Sequence, residues 1–470
     1  MSRLLAYRPA NAPHRQGRWA RGLIHFHTRF SDGWATVRRA AEIAQEHGYD
    51  FLVVTDHIQD IKLKRHRSID EYVEACAQAG DAVGIPVIPG GEFEVNWTAP
   101  EDPPRPADGS EAHTLAFDVA PLRGAFDWED NENKPYDHWK DEHNQAGTLA
   151  AVLLRLRQAG LPAAASHQFQ HSPLSRRLGE HTDFRYDLRV IGRCTHLDFF
   201  YSGSVDVLHE PEDLELVTQY KYALEYARPD LFEMGQFPTV PAAAQAVDPG
   251  GLQAIYASCD YHVGPEVFPW LDSLLRVPVV GTALAWGFRF LAGAVLSYFG
   301  NPETAVFPDF AAEQLSHATY AYVGDAPITR ESVLAGLAAG RTVVTRGSAE
   351  FAGLSPVPSI VGPGAGHPVE IHLHLPVTCS PRTRRPHHVF VYRVREERAR
   401  SAWPFPRRDV TLADLVAFPP QPGDQGAEIH LHFREHEQLD LTRFRYWYQL
   451  YIPTKFISAP IIVDRTSKAA

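Results

Sequence analysis

The chain has 470 residues, 44% hydrophobic and 22% charged, the balance of a soluble globular protein long enough for two or three domains or one large α/β barrel with an appendage. Its 45 basic and 57 acidic residues leave a formal charge of -12, which argues against a nucleic-acid-binding surface. The four cysteines, Cys76, Cys194, Cys259 and Cys379, form no C-x-x-C pair; that excludes a cysteine-caged zinc site and suits a reducing compartment.

Residues 1–19 read as an N-terminal extension without the long apolar core of a signal peptide, so the expected location is the cytoplasm. From 20 to about 350 the chain repeats a strand-then-helix rhythm, which favours a parallel sheet or barrel. "GLIHF" reads as a first buried strand. "TVRRAAEIAQEHG" follows as a helix with Val37, Ala40, Ala41 and Ala44 on one face and Gly48 at its C-terminal end. Next come the apolar run "YDFLVVTDH", the strand region "GIPVIPGGEFEV", the helix-strand pair "TLAAVLLRLRQAGLPAAASH", and the strands "DLFEMG" and "LQAIYASCDYH".

Irregular inserts interrupt this rhythm at 98–112, 121–147, 171–196 and 265–315; loops this long are expected to be functional lids or decoration. The stretch 277–299, "VPVVGTALAWGFRFLAGAVLSYF", is long enough to span a bilayer but carries Arg289 and Pro278. A buried helix or an oligomer contact is the plainer reading, and a membrane-associated hairpin the alternative. Beyond "LAAGRTVVTRG" the texture turns to alternating strands and Pro-rich turns, with "TLADLVAF" as the one convincing helix. A boundary near 350 is therefore expected, with 351–470 an all-β sandwich.

With 24 His in the chain, roughly one H-x-H pair is expected by chance, so His25 and His27 mean little alone. Their context is stronger. Predicted strands end in His25 and His27, in Asp56 and His57, in Glu92, in His167, and in Asp260 and His262. The carboxyl ends of strands are the face on which parallel α/β folds assemble active sites. Imidazole and carboxylate together suit Zn, Mn or Fe, and this many donors exceed what one four-coordinate ion needs. If the strand end is extended, positions i and i+2 point the same way, and His25 and His27 could grip one ion.

The ordered strings "HFHTRFSDG", "VVTDH", "GGEFEV", "HTLAFDV", "ASHQ" and "SCDYH" resemble the successive motifs of the PHP superfamily, named for its polymerase-associated and histidinol phosphatase members, over roughly 20–350. The resemblance implies a distorted (βα)7 barrel with a di- or trinuclear metal centre that hydrolyses phosphoesters or, in some branches, other ester-like bonds. It implies one metal held by His25, His27, Glu92 and Asp260. A second would be held by Glu92 as a bridge with His113 and His167, and a third by Asp32, His57 and His262. His113 enters the set only through the resemblance of "HTLAFDV". The tail, "SVLAGLAAGRTVVTRG" with a β domain closing in "ISAPIIVD", is similar to CehA/McbA-type metallohydrolases, the branch that includes carbaryl hydrolase. This chain departs from that pattern in its long insert after His262.

The expected reaction is attack on phosphorus or carbonyl carbon by a hydroxide bridging the ions, since coordination lowers the pKa of water to about 7. Asp56 would orient an imidazole or transfer a proton, and His171 or His209 could protonate the leaving group. Arg29, Arg176 and Arg177 are candidate contacts for a small anionic substrate. Glu233 reads as a carboxylate with a structural hydrogen bond, and Cys259 as buried packing. Three readings follow: a phosphoesterase, a carboxyl-ester or carbamate hydrolase with the same centre, and a non-catalytic metal-bound scaffold. The pentapeptide "EIHLH" occurs twice, at 370–374 and 428–432, and a solvated strand face accounts for its histidines.

Overall fold

The computed structural model describes residues 18–63, 67–96, 111–122, 156, 158–166, 195–201, 254–262, 315, 317–345, 353–355, 370–378, 387–397, 408–418, 426–435, 437, 439–452, 456–458 and 461–463. The expectations for 277–299, "DLFEMG", His167, His171, Arg176, Arg177, His209 and Glu233 lie outside these residues. Among those described, no helix is long and apolar enough to cross a membrane.

In chain order the elements begin with β1 (Arg18–Phe26), α1 (Val37–Glu46), β2 (Phe51–Val54), α2 (Ile58–Leu63), α3 (Ile69–Val83), β3 (Val87–Pro89), β4 (Gly91–Asn96) and β5 (Glu111–Ala116). They continue with β6 (Ala163–Ser166), β7 (His196–Tyr201), β8 (Ala254–Ser258), β9 (Ala318–Gly324), α4 (Arg330–Ala338), β10 (Thr342–Thr345), β11 (Gly353–Ser355) and β12 (Glu370–Thr378). The last are β13 (His387–Glu397), β14 (Arg408–Phe418), β15 (Gly426–Arg434), β16 (Phe444–Ile452), β17 (Phe456–Ser458) and β18 (Ile461–Val463).

Local chemistry explains the first elements. Thr36 caps α1 by accepting from Arg39 N (3.1 Å), and the helix buries Val37, Ala40, Ala41, Ile43 and Ala44, the face expected from its apolar spacing. Gly48, at φ 73°, then takes the left-handed conformation that ends the helix. Ser68 and Glu71 close a reciprocal capping box at the start of α3. The run Phe51–Val54 is apolar throughout because both of its faces are covered: Leu52 and Val54 pack with α1 and α3, Phe51 and Val53 with Ile24, Ile88 and Tyr256.

The architecture is mixed α/β. A ten-stranded sheet runs β14-β13-β16-β17-β10-β9-β1-β2-β3, with β18 on β16; a five-stranded sheet runs β4-β5-β6-β7-β8, and a three-stranded sheet β11-β12-β15. Backbone bonds tie the first two together at both ends. Cys259 N donates to Ile24 O (3.0 Å) and His27 N to Tyr261 O (2.9 Å), joining the end of β8 to the end of β1. Glu92 N in β4 donates to Asp56 O (3.1 Å), just past β2. Only Gly90 separates β3 from β4, and a Cβ there would stand 2.7 Å from Val54 O and 2.8 Å from Ala116 O. The carboxyl ends of β1, β2 and β8 and the start of β4 are thus drawn to one place.

Three expectations are corrected. The parallel rhythm holds for β1-β2-β3 and β6-β7-β8, but β5 runs antiparallel to both β4 and β6. A parallel neighbour needs a crossover of a dozen or more residues, usually helical, and the Pro-rich 98–112 insert offers no helical pattern for one. "TLADLVAF" is the strand β14: pairing along β13 from His387↔Phe418 to Glu396↔Arg408 outweighs its helical propensity, with a bulge at Val391/Tyr392. The insert read as 171–196 ends where β7 begins, and "HLDFFY" was missed as a strand although it is a short apolar run of the right length. The ladder also continues across residue 350, because β10 pairs with β17 through Val343↔Ser458, Val344↔Ile457 and Thr345↔Phe456.

Candidate metal centre

The end of β1 is not extended as supposed. His25 has φ 75°, and the β1–β2 register shifts between Ile24 and Phe26. His25 is therefore the bulged residue, and the bulge re-aims its imidazole to lie 5.0 Å, ring to ring, from that of His27. Asp260, at φ 41°, is the matching irregularity on the facing segment. Left-handed backbone costs about 1–2 kcal/mol per non-glycine residue. It is held here by Tyr261 N (3.1 Å) and Cys259 Sγ (2.8 Å) donating to His25 O.

Two sets of donors converge, each with its atoms within 4.8 Å of one another: His25, His27, Glu92 and Asp260, and His27, Asp32, His57 and His262. His25 Nε2 lies 3.1 Å from Glu92 Oε2 and 3.2 Å from Asp260 Oδ1, and His27 Nε2 lies 3.2 Å from both of those oxygens. Asp32 Oδ1 is 3.3 Å from His27 Nδ1, and its Oδ2 is 3.1 Å from His262 Nε2 and 3.8 Å from His57 Nε2. His113 Nδ1 sits 2.8 Å from Glu92 Oε1. Asp32 is 41% exposed while His25, His27 and Glu92 are buried, so the opening to solvent is on the Asp32 side.

The loop that carries Asp32 is pinned from below. Asp56 Oδ1 accepts from Thr28 N (2.7 Å), Ser31 N (3.1 Å) and Ser31 Oγ (2.5 Å), and Oδ2 accepts from Thr28 Oγ1 (2.6 Å). Asp56 thus holds a loop rather than an imidazole. Burial pushes its carboxyl up, and the positive charge of His27 and these hydrogen bonds oppose the rise. Gly33 is needed where the loop folds back: a Cβ would stand 2.2 Å from the carbonyl carbon and oxygen of His27. Arg29, exposed on this loop, donates from Nε to Trp34 O (2.8 Å), and Trp34 N donates to His262 O (3.0 Å).

The sequence reading missed Ser258 and Ser166. His25 Nδ1 lies 2.6 Å from Ser258 Oγ and 3.3 Å from Ser166 Oγ. Both serines stood inside the quoted strings "SCDYH" and "ASHQ", directly before a candidate ligand or two residues from one, and that spacing was the available signal. Cys259 is fully buried, with burial and the nearby Asp260 charge pushing its thiol up, which agrees with packing rather than nucleophilic chemistry.

The electrostatics suit cations. Burial alone would depress the His27 imidazole, but Asp260, Asp32 and Glu92 outweigh it and raise it well above the ordinary histidine value. Burial likewise opposes ionisation of Glu92 and Asp260, yet the surrounding imidazoles hold both well below the usual carboxylate range. His27 Nε2 is the sharpest test of fit. It is buried, with Glu92 Oε2 and Asp260 Oδ1 each 3.2 Å away. Nitrogen and oxygen atoms gathered within 4.8 Å of one another match ligation of a divalent transition ion.

No family model and no curated protein matches the chain. Among solved structures it is similar to a two-domain protein from Bacteroides vulgatus containing a predicted PHP-like metal-dependent phosphoesterase, at 11% identity over 95% of each chain with a TM-score of 0.37. It is also similar to a proposed metal-dependent phosphoesterase from Bifidobacterium adolescentis, at 14% identity over 53% of this chain and 89% of that one, TM-score 0.27. An amidohydrolase from Chromobacterium violaceum with bound sulfate and no metal matches at 17% identity over 51% of this chain and 87% of that one, TM-score 0.27. These scores are low, and the functional reading rests on the side chains themselves.

Proposed function

We propose that this chain is a metal-dependent hydrolase acting on phosphoesters of small anionic molecules, built on a distorted barrel of PHP type formed by β1 to β8. The observation that carries the reading is the convergence of His25, His27, Glu92 and Asp260 within 4.8 Å of one another, with the buried His27 Nε2 set 3.2 Å from two carboxylate oxygens. His25, His27, Glu92 and Asp260 would hold one divalent ion, and Asp32, His57 and His262 a second, with His113 beside Glu92. His167 is the further ligand proposed beside His113. Ions held there would supply Lewis acidity and activate water near neutral pH.

The chain's own residues set the rest. If His25 carries its proton on Nδ1, it donates to Ser258 Oγ at 2.6 Å and presents the Nε2 lone pair as the ligand. The carboxylates of Asp32, Glu92 and Asp260 bring three negative charges, one fewer than two divalent cations supply before water is deprotonated, and that residual positive charge would attract an anionic phosphoryl oxygen more than a neutral ester. Asp56 keeps the Asp32 loop in place, and Arg29 stands on the same loop to meet substrate oxygens entering from the exposed side.

The test is metal content by elemental analysis followed by turnover of an aryl phosphate, an aryl phosphodiester, and naphthyl acetate and carbamate. Phosphoester turnover that disappears with the metal in His27→Ala and Glu92→Gln is expected. Turnover confined to acetate or carbamate would replace the substrate class, and full metal occupancy without any turnover would sink the enzymatic reading.

A further inference from the structure

Four of the five strands in the sheet β4-β5-β6-β7-β8 supply a side chain that touches the centre: Glu92 from β4, His113 from β5, Ser166 from β6 and Ser258 from β8. The fifth, β7, runs between the two strands that bear the serines and carries Asp198, which is 1% exposed. Ala165 pairs with Leu197, so Ser166 and Asp198 are the next residues on their two strands. A carboxylate buried in the run "HLDFFY" gives up its hydration and is tolerated where hydrogen bonds replace the water. Asp198 Oδ1 accepts from Ser258 N at 3.2 Å. Ser258 in turn meets His25 Nδ1 through its Oγ at 2.6 Å. One residue thus touches the acid with its backbone and the candidate ligand with its side chain.

A strut stitching β7 to β8 would account for the first contact, but not for its place. The β7–β8 register shifts between Asp198 and Phe200: Asp198 pairs with Tyr256, whereas Phe200 pairs with Ala257 and Tyr201 with Ser258. It is a third irregularity beside the left-handed His25 and Asp260, and bulges next to active sites re-aim side chains. At this bulge the carboxylate passes its own partner, Tyr256, and meets the amide two residues on. A metal-binding imidazole needs a fixed partner on its other nitrogen, and a serine hydroxyl can turn about its own bond. How firmly the ring is held therefore depends on how firmly the serine is held.

We propose that Asp198 is a positioning residue for the metal centre: it fixes the backbone of Ser258, so that the serine hydroxyl orients the His25 imidazole and Nε2 is presented to the ion. This role rests on the reading of His25 as a ligand.

The test uses the full chain stripped with a chelator, with zinc affinity measured by competition and the denaturation midpoint of the metal-free chain measured alongside. Asp198→Ala is expected to weaken zinc binding about tenfold or more, the scale on which partners of metal-binding histidines act. Asp198→Asn keeps an oxygen acceptor for Ser258 N and should stay within about threefold of the wild type. In Ser258→Ala the hydroxyl is gone and Asp198 has nothing to act through, so adding Asp198→Ala should cost less than about threefold more. If Asp198→Ala does not fold, Asp198→Leu, nearer to the acid in size, takes its place in the cycle. Zinc losses that multiply in the double variant, unchanged zinc affinity in Asp198→Ala, or a loss of about tenfold in Asp198→Asn at an unchanged midpoint would overturn the role of Asp198 and leave the centre standing. A wild-type chain that takes up no zinc would overturn the centre itself and this role with it.

Discussion

Replacing Asp56 separates two roles that the sequence left open. Three of its four described hydrogen bonds go to Oδ1, from Thr28 N, Ser31 N and Ser31 Oγ; the fourth, from Thr28 Oγ1, goes to Oδ2. In Asp56→Asn the amide oxygen can keep the Oδ1 set, and Thr28 Oγ1 can turn to accept from the new amide. The loss is then mainly charge assistance, about 1–3 kcal/mol over the set. In Asp56→Ala the buried Thr28 N–H and Thr28 hydroxyl lose their acceptor at about 1–3 kcal/mol each, while Ser31 N keeps Thr28 O at 3.0 Å, so a loss of about 2–6 kcal/mol is expected. Against a typical total of about 5–15 kcal/mol, the first is tolerable and the second approaches unfolding. Denaturant titration of both variants, with metal content and turnover of the best panel ester, is the assay. Asp56→Asn should retain its metal and most of its turnover. If it folds and loads normally but turns over about a hundredfold slower or worse, Asp56 transfers a proton and the loop-holding account fails.

Gly33→Ala should cost about 1–3 kcal/mol and weaken metal binding, since the new Cβ would meet the backbone of His27, which cannot swing aside; thermal denaturation and zinc competition would show it, and wild-type values would refute the close approach. Ser258→Ala should lower metal affinity about 10–100-fold by freeing the His25 ring, while Ser258→Thr restores it; equal affinity in all three proteins would remove Ser258 from the site. Burial depresses His196 to about 4, so the folded state resists its protonation. Between the ordinary histidine value and about 4 the unfolded chain binds the extra proton, and stability should fall with pH across that window by up to about 3 kcal/mol. His196→Gln should flatten this dependence in denaturation midpoints taken from pH 7 to 4; an unchanged slope would contradict it.

Much of the first hundred residues could be read locally. The apolar spacing of α1, the capping box before α3 and the unbroken run of β2 are properties of neighbouring residues, and the structure keeps them. The expected ligands His25, His27, Asp32, His57, Glu92, His113, Asp260 and His262 do come together; most lie at or near the ends of strands whose own pattern was legible, whereas His113, inside β5, was expected only from the resemblance. What stayed hidden depends on partners distant in sequence. The bulge at His25 exists because of Cys259 and Tyr261. The direction of β5, the strand fate of 408–418 and the facing of one "EIHLH" by the other are all decided by which ladder a segment joins.

The pairing of β10 with β17 has a practical reach beyond the fold. A chain cut after residue 350 would keep β10 paired with β9 on one side but leave its other row of amides and carbonyls open to any passing polypeptide, and such an edge invites self-association. The portion that bears the histidine and carboxylate cluster is therefore poorly suited to life as an excised fragment, and whatever selects for solubility of the one half must also preserve the other.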